Sequence, residues 1–495
     1  MFEKISPEAA GISSEKIAEF LTTIEKRGAI MHSMMIVRHG KTVAEYYWKP
    51  FHKDFHHRMY SQTKSYTAIA IGLLEEEGKL SLDDKLVDIF PEKIDGEISE
   101  YLKEQTVRHM LTMTTVGNPN NWFAETEPDR TRLYFNLRKN AHPAGTVWEY
   151  DSAASQVLSA IAEKLSGMPL LEYLRSKLFD KMGTFKTAEI LKTRNGDSWG
   201  DSALLCTMRD MASFGKLLMD GGVWCGERLM NEKFVRTATS KVVDNVMSWR
   251  PGAYTHGYGY QIWRTEQNGF SFLGMGDEIT ICLPDRDYMF VCNADHQGTD
   301  NLLRNILVNA MFDIIVSNMK DEALPANPEA EARLAKLTEN LELRAARGLA
   351  DSGFRAELNG AEYECSQNPM GITRFSFKFG EDGKSGELHY TNAQGDKVIP
   401  FGVNHNVFGK FPQLGYSNDR GGLRTTDGFM YNDAASLAWL EEKKLILFVQ
   451  IIDRYFGLMS AVFAFRDGHA AAQFAKVGED FLDEYSGELS ARRIN

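Results

Sequence analysis

The 495-residue chain has five cysteines, at positions 206, 225, 282, 292 and 365, and no two of them form a Cys-x-x-Cys pair. An odd, scattered set argues against a disulfide scaffold and leaves buried free thiols as the reading. Histidine supplies no metal set in its place. The nearest cluster, His52, His56 and His57, has no carboxylate or thiolate partners at ligand spacing. Neither a metal nor another cofactor is expected. Positive charge is also in short supply. The net charge is −12, the sequence pI is about 5.6, and no long basic run occurs. That balance argues against nucleic acid and anionic membranes as partners. No uninterrupted apolar stretch approaches the length of a membrane span. Acidic residues run through the first twenty positions, where a signal peptide would need an apolar core, so a cytoplasmic location is expected.

What remains is an ordinary globular composition, 43% hydrophobic and 25% charged, in a chain too long for one compact core. The most informative stretch runs from Arg58 to Asp84. Ser61-Gln62-Thr63-Lys64 leads into an apolar helical run (Ala68, Ile69, Ile71, Leu73, Leu74) that ends at Gly78. A polar turn thus hands a serine to the start of a buried helix, with a lysine one turn away on the same face. A helix start offers unpaired N–H groups and a positive dipole end, which suit a developing oxyanion. A lysine among apolar neighbours loses hydration, so its neutral form becomes accessible as a base. Ser-x-x-Lys also occurs at Ser13, Ser213 and Ser317, so the tetrapeptide is not selective by itself. Context separates Ser61 from the other three.

Upstream, residues 7–27 read as an amphipathic helix, and residues 32–51 as two strands turning at His39-Gly40. Asp83 to Pro91 reads as a loop and short turn, and Val107 to Met113 begins a further helix. A turn-rich segment, 117–130, carries Trp122, which either lines a substrate mouth or anchors its own loop. A second informative stretch, 143–167, has turn residues Pro143–Thr146. Tyr150-Asp151-Ser152 follows at the mouth of a helix closed by Gly167. The tyrosine is either a packed aromatic or a phenol that relays protons. Thr207 to Asp210 is a capping-box-like helix start. From Gly257 the pattern turns to strands: 258–263, 270–284 and 288–295, then a helix through Leu302, Ile306 and Phe312.

Together these residues resemble the serine β-lactamase and penicillin-binding-protein-like hydrolases, in particular the class C and esterase branch. Ser61–Lys64 with EEGKLSLDDKLVDIFPE resembles the first motif and its tail. Thr106–Thr112 resembles the next helix, and Pro143–Thr146 with Tyr150-Asp151-Ser152 the second motif, normally Tyr-x-Asn. The resemblance covers about residues 5–316. It implies an α+β, β-lactamase-like fold, in which helices flank an antiparallel sheet beside a helical subdomain. It also implies Ser61 as nucleophile, Lys64 and Tyr150 as proton carriers, and an oxyanion held by the amides of Ser61 and Asp277. Two positions depart from the pattern. The third motif, normally Lys-x-Gly or His-x-Gly, reads Gly274-Met275-Gly276, and Ser152 replaces an asparagine. Loss of that cation favours a carboxylesterase or amidase acting on small esters or amides. A β-lactamase or D-amino-acid peptidase is one alternative, and a catalytically degenerate ligand-binding protein is the other.

Domain boundaries are expected at 1–325 for the hydrolase domain, 326–350 for a linker helix and 351–495 for an all-β domain. The helix is marked by Asn327, Pro328 and Gly348. The last segment alternates short apolar runs (RFSFKF, GELHYTN, KVIPFG, ASLAWL, LILFVQII, YFGLMSAVFAF) with turn residues, the pattern of a sandwich or small barrel. It is similar to the lipocalin-like β-domain carried by some members of the family. Three roles stay open for it: covering the active-site mouth, forming a homo-oligomer, or stabilising the chain.

Overall fold

The computed structural model describes residues 2–117, 127–137, 140–246, 255–414, 429–478 and 485–495. They form two compact units, one holding Met1–Glu342 and the other the described residues from Leu343 to Asn495.

The first unit is built on a six-stranded antiparallel sheet. Its order is Lys41–Tyr47, Met31–Arg38, Tyr288–Ala294, Ile279–Leu283, Phe270–Leu273 and Trp263–Arg264. Every residue of Met31–Arg38 and of Tyr288–Ala294 is buried, so both read as apolar runs rather than alternating strands. Alternate side chains enter two separate cores. Met35, Val37, Met289 and Val291 join the helices beside Ser61, whereas Met34, Ile36, Phe290 and Cys292 pack with Ile17, Phe20 and Phe312. The expected 7–27 helix is two pieces: Gly11 breaks it with φ 70°, and Ser13 caps the longer piece, Ser14–Lys26. The run 270–284 is two strands, because Gly274–Glu278 folds back as a hairpin. Helix Leu86–Ile89 lies within the expected loop, and the helix begun at Pro328 ends at Thr338 rather than Gly348. That last helix packs on Ser14–Lys26 through Leu334 and an Arg333–Glu15 ion pair.

Helix Thr63–Glu76 is buried along its whole length up to Leu74, so it cannot be read as amphipathic. A Cβ on Gly72 would come 2.4 Å from the Phe234 ring. Glycine at that position lets the two elements touch.

The second unit is a ten-stranded antiparallel barrel running from Glu362–Cys365 to Gly487–Arg493. The first and last strands pair at Glu364 and Arg492. A parallel contact, Gly402 with Ser436, closes the ring. Six of its strands carry the expected apolar runs. The other four (Glu362–Cys365, Val407–Leu414, His469–Gly478 and Gly487–Arg493) are too short, alanine-rich or charged to stand out in the sequence. Its interior is packed with aromatic rings: Phe377 meets Phe401 and Phe463, and Phe379 stacks on Trp439.

One carboxylate is out of place in that barrel. Burial pushes Asp433 up to about 7, against backbone hydrogen bonds and Lys410 that oppose the shift. A raised carboxyl contributes stability at pH 4 and loses it as pH rises towards 7. Asp433→Asn should therefore melt higher than the parent at pH 8, by the equivalent of about 2–4 kcal/mol, with no such gain at pH 4. Melting of the barrel transition at both pH values checks this, and an equal difference at the two would contradict it.

Candidate active site

Strand His57–Arg58 pairs with Leu204–Cys206, and Met59 N–H donates to Leu204 O at 2.8 Å, so the segment leading to Ser61 is pinned on one side. The turn is tight. Tyr60 has φ 43°, a left-handed conformation costly for a bulky residue, immediately before the serine. Arg58 is sandwiched 4.5 Å from both the Tyr60 and Trp199 rings, and its Nε donates to Ser202 O at 3.1 Å.

Lys64 is almost fully buried. Its Nζ donates to Ser61 Oγ at 3.0 Å and to the main-chain oxygen of Asp201 at 2.7 Å, and Asp201 Oδ2 lies 3.8 Å away. The Tyr150 ring centroid is 5.3 Å from the same nitrogen. Tyr150 stacks on Trp263 at 5.7 Å and 19°, beside Trp148 and Tyr258, so an aromatic wall fixes the phenol. Asp151 caps the following helix by accepting from Ala154 N at 3.0 Å, and Thr115 Oγ1 donates to its other oxygen. Ser152 is the first residue of that helix. The structure thus brings Ser61, Lys64 and Tyr150 together, with Ser152 two residues after the tyrosine. Trp122 lies outside the described residues.

The hairpin Gly274–Glu278 meets the segment before Ser61: a Cβ on Gly274 would stand 2.6 Å from Met59 O and 2.2 Å from Glu278 Oε2. A third-motif lysine or histidine has no room there, because a buried carboxyl occupies the space. Glu278 Oε2 accepts from Gly276 N at 3.1 Å, and burial pushes this carboxyl well above its ordinary range. Its Oε1 lies 3.6 Å from His57 Nδ1, and His57 Nε2 meets His32 Nδ1 at 2.9 Å. Burial drives His57 down to about 3, so this imidazole is uncharged at neutral pH, and burial likewise lowers His32. Through its carboxylate Asp277 meets Arg304 and His296 Nδ1, the latter at 2.7 Å. Its own N–H lies 3.3 Å from Gly274 O, the long end for a hydrogen bond.

The sequence profile described as Beta-lactamase matches residues 18–310, more than half of the chain. The chain belongs to the beta-lactamase family. Within it, the 6-aminohexanoate-dimer hydrolase of Paenarthrobacter ureafaciens is 25% identical over 248 residues. That match takes in 47% of this chain and 63% of the relative, so it spans less than two thirds of the relative's length. Among solved structures, EstCE1, a hydrolase with promiscuous acyltransferase activity, is 15% identical with a TM-score of 0.50. The similarity covers 60% of this chain and 99% of that one, and shows a shared fold. An octameric penicillin-binding protein homologue from Pyrococcus abyssi is also 15% identical, with a TM-score of 0.48, covering 96% of this chain and 99% of its own. Among the described residues no helix is long and apolar enough to cross a membrane, and no group of three or more His, Cys, Asp or Glu side chains could hold a metal.

This beta-lactamase-family site contains groups the sequence did not single out. Asp201 reaches Lys64 across 137 positions and sits in an unremarkable Trp-Gly-Asp-Ser turn. Gln261, with φ 57°, accepts from Ser155 Oγ at 2.6 Å through its side chain and from Ser65 Oγ at 2.7 Å through its carbonyl, tying both motif helices together. Gln62 Nε2 reaches Thr280 Oγ1 at 3.2 Å, joining the turn before helix Thr63–Glu76 to the sheet. None of these has a local signal, since each partner is distant in sequence.

Proposed function

We propose that this chain is a serine hydrolase that forms an acyl-enzyme on Ser61 and cleaves small ester or amide substrates. The observation that carries the reading is the 3.0 Å contact between Lys64 Nζ and Ser61 Oγ at the head of a buried helix. Lys64 takes the Ser61 proton, directly or together with Tyr150, as Ser61 Oγ attacks the carbonyl carbon. The carbonyl π-bond breaks and its electron pair moves to oxygen, held by the Ser61 amide and the hairpin that carries Asp277. Each such donor typically lowers the barrier by about 3–4 kcal/mol. Tyr150 gives its proton to the leaving group as the tetrahedral intermediate collapses, and later helps to activate water for deacylation. Gly274 leaves no cation on the hairpin, which supports uncharged substrates over those anchored by a carboxylate. The name of the Paenarthrobacter relative supports amide cleavage within this class.

Intact mass after a fluorophosphonate probe tests the proposal. A single adduct mapping to Ser61 is expected. Folded protein that takes up no phosphonate, or takes it up elsewhere, overturns it.

A further inference from the structure

We propose that Asp201 is a positioning residue for Lys64: its carbonyl and carboxylate together fix the lysine Nζ against Ser61 Oγ and balance its positive charge. The inference rests on the reading of Ser61 as nucleophile. An ammonium group has three donors. Here one meets Ser61 Oγ at 3.0 Å and one meets Asp201 O at 2.7 Å, while Asp201 Oδ2 stands 3.8 Å from the same nitrogen. Among the described contacts Asp201 meets Lys64 and not Ser61, so it acts through the lysine.

The carboxylate is 1% exposed, and an isolated charge there would be costly. Burial raises its carboxyl, and Lys64, Arg130 and Arg58 oppose that shift. Two arginines therefore act on Asp201 besides Lys64, each against Trp199, at 4.5 Å for Arg58 and 5.5 Å for Arg130. Among the described residues the charged and titratable groups recorded against Lys64 or Asp201 are Arg58, Arg130 and Tyr150, with Tyr258 against Tyr150. Asp201 is the anion recorded in contact with Lys64 among the described residues.

The loop that carries Asp201 does not depend on its side chain for its place. Thr67 Oγ1 donates to Gly200 O at 2.6 Å, Gly200 N donates to Gln156 Oε1 at 3.0 Å, and Leu204 N donates to Thr63 Oγ1 at 3.1 Å. Asp201→Asn should thus keep the carbonyl contact and remove only the charge.

The test is the second-order rate of Ser61 phosphonylation against pH in the full-length chain, for the parent, Asp201→Asn and Arg130→Gln. Whether Lys64 or Tyr150 is the base, removing a neighbouring negative charge makes it lose its proton more readily. The acid limb in Asp201→Asn is expected to move down by about one pH unit or more, with a plateau at least about tenfold lower. Arg130→Gln removes a positive charge that acts on the same carboxylate and is expected to move the limb up. A structural role alone would lower the plateau and leave both limbs in place. If Asp201→Asn does not fold, the direction of the Arg130→Gln shift decides. A Ser61 adduct with unmoved limbs overturns the role of Asp201 only. The absence of any Ser61 adduct in the folded parent overturns the hydrolase reading and this inference with it.

Discussion

Ser61→Ala, Lys64→Met and the double variant should all lose ester or amide turnover to about the same extent, each by at least about 10³-fold in kcat/KM. The expectation of equal losses follows from the geometry. Ser61 Oγ and Lys64 Nζ share one proton path at 3.0 Å, so neither does the step without the other. When two groups act as a unit, removing the first removes the work of the second, so the losses do not multiply. Methionine keeps the length and apolar stem of lysine in a buried helix, so Lys64→Met removes the ammonium with little change in volume. What survives should be the contribution of the backbone donors and of substrate binding. Steady-state rates for the three variants on one p-nitrophenyl ester settle the point. Losses that multiply in the double variant would mean separate roles, and an unchanged rate in Ser61→Ala would end the hydrolase reading.

The part of this arrangement that the sequence disclosed is the part encoded locally. Ser61 and Lys64 are three residues apart, and a helical reading of the apolar run after them is enough to place them on one face. Tyr150 was legible for the same reason: Asp151 and Gly167 mark the two ends of the helix beside it. Resemblance in motif order then supplied the sheet. Asp201, Gln261, Glu278 and Arg304 were not legible, because what makes each informative is a partner far away in sequence. Glu278 looks like a polar residue in a strand until the hairpin closes and places its carboxyl where a third-motif side chain would stand. The barrel shows the same division. Its apolar strands declared themselves, whereas Val407–Leu414 and Gly487–Arg493 carry proline or charge and gain strand character only from their neighbours.

Arg304→Met should destabilise the first unit by about 3–5 kcal/mol and cut turnover as well. Arg304 reaches in from helix Leu302–Ala310, is 5% exposed, and donates to the Asp277 carboxylate and to the carbonyls of Gly274 and Met275. Without it, Asp277 keeps His296 but loses its only guanidinium partner among the described contacts, in a place where burial already raises its carboxyl. Breaking one side of a buried pair costs more than removing both, because an uncompensated charge is left behind. Asp277→Asn combined with Arg304→Met should therefore recover part of the loss, by a coupling of about 1–3 kcal/mol. The pH dependence has a definite sign. A carboxyl raised in the folded state is tolerated while protonated, so the penalty of Arg304→Met should be smaller at pH 5 than at pH 8. Urea unfolding at the two pH values reads both effects. A penalty below about 1 kcal/mol, or one independent of pH, would show that the Gly274–Glu278 turn is held by Glu278 and the strand ladder alone.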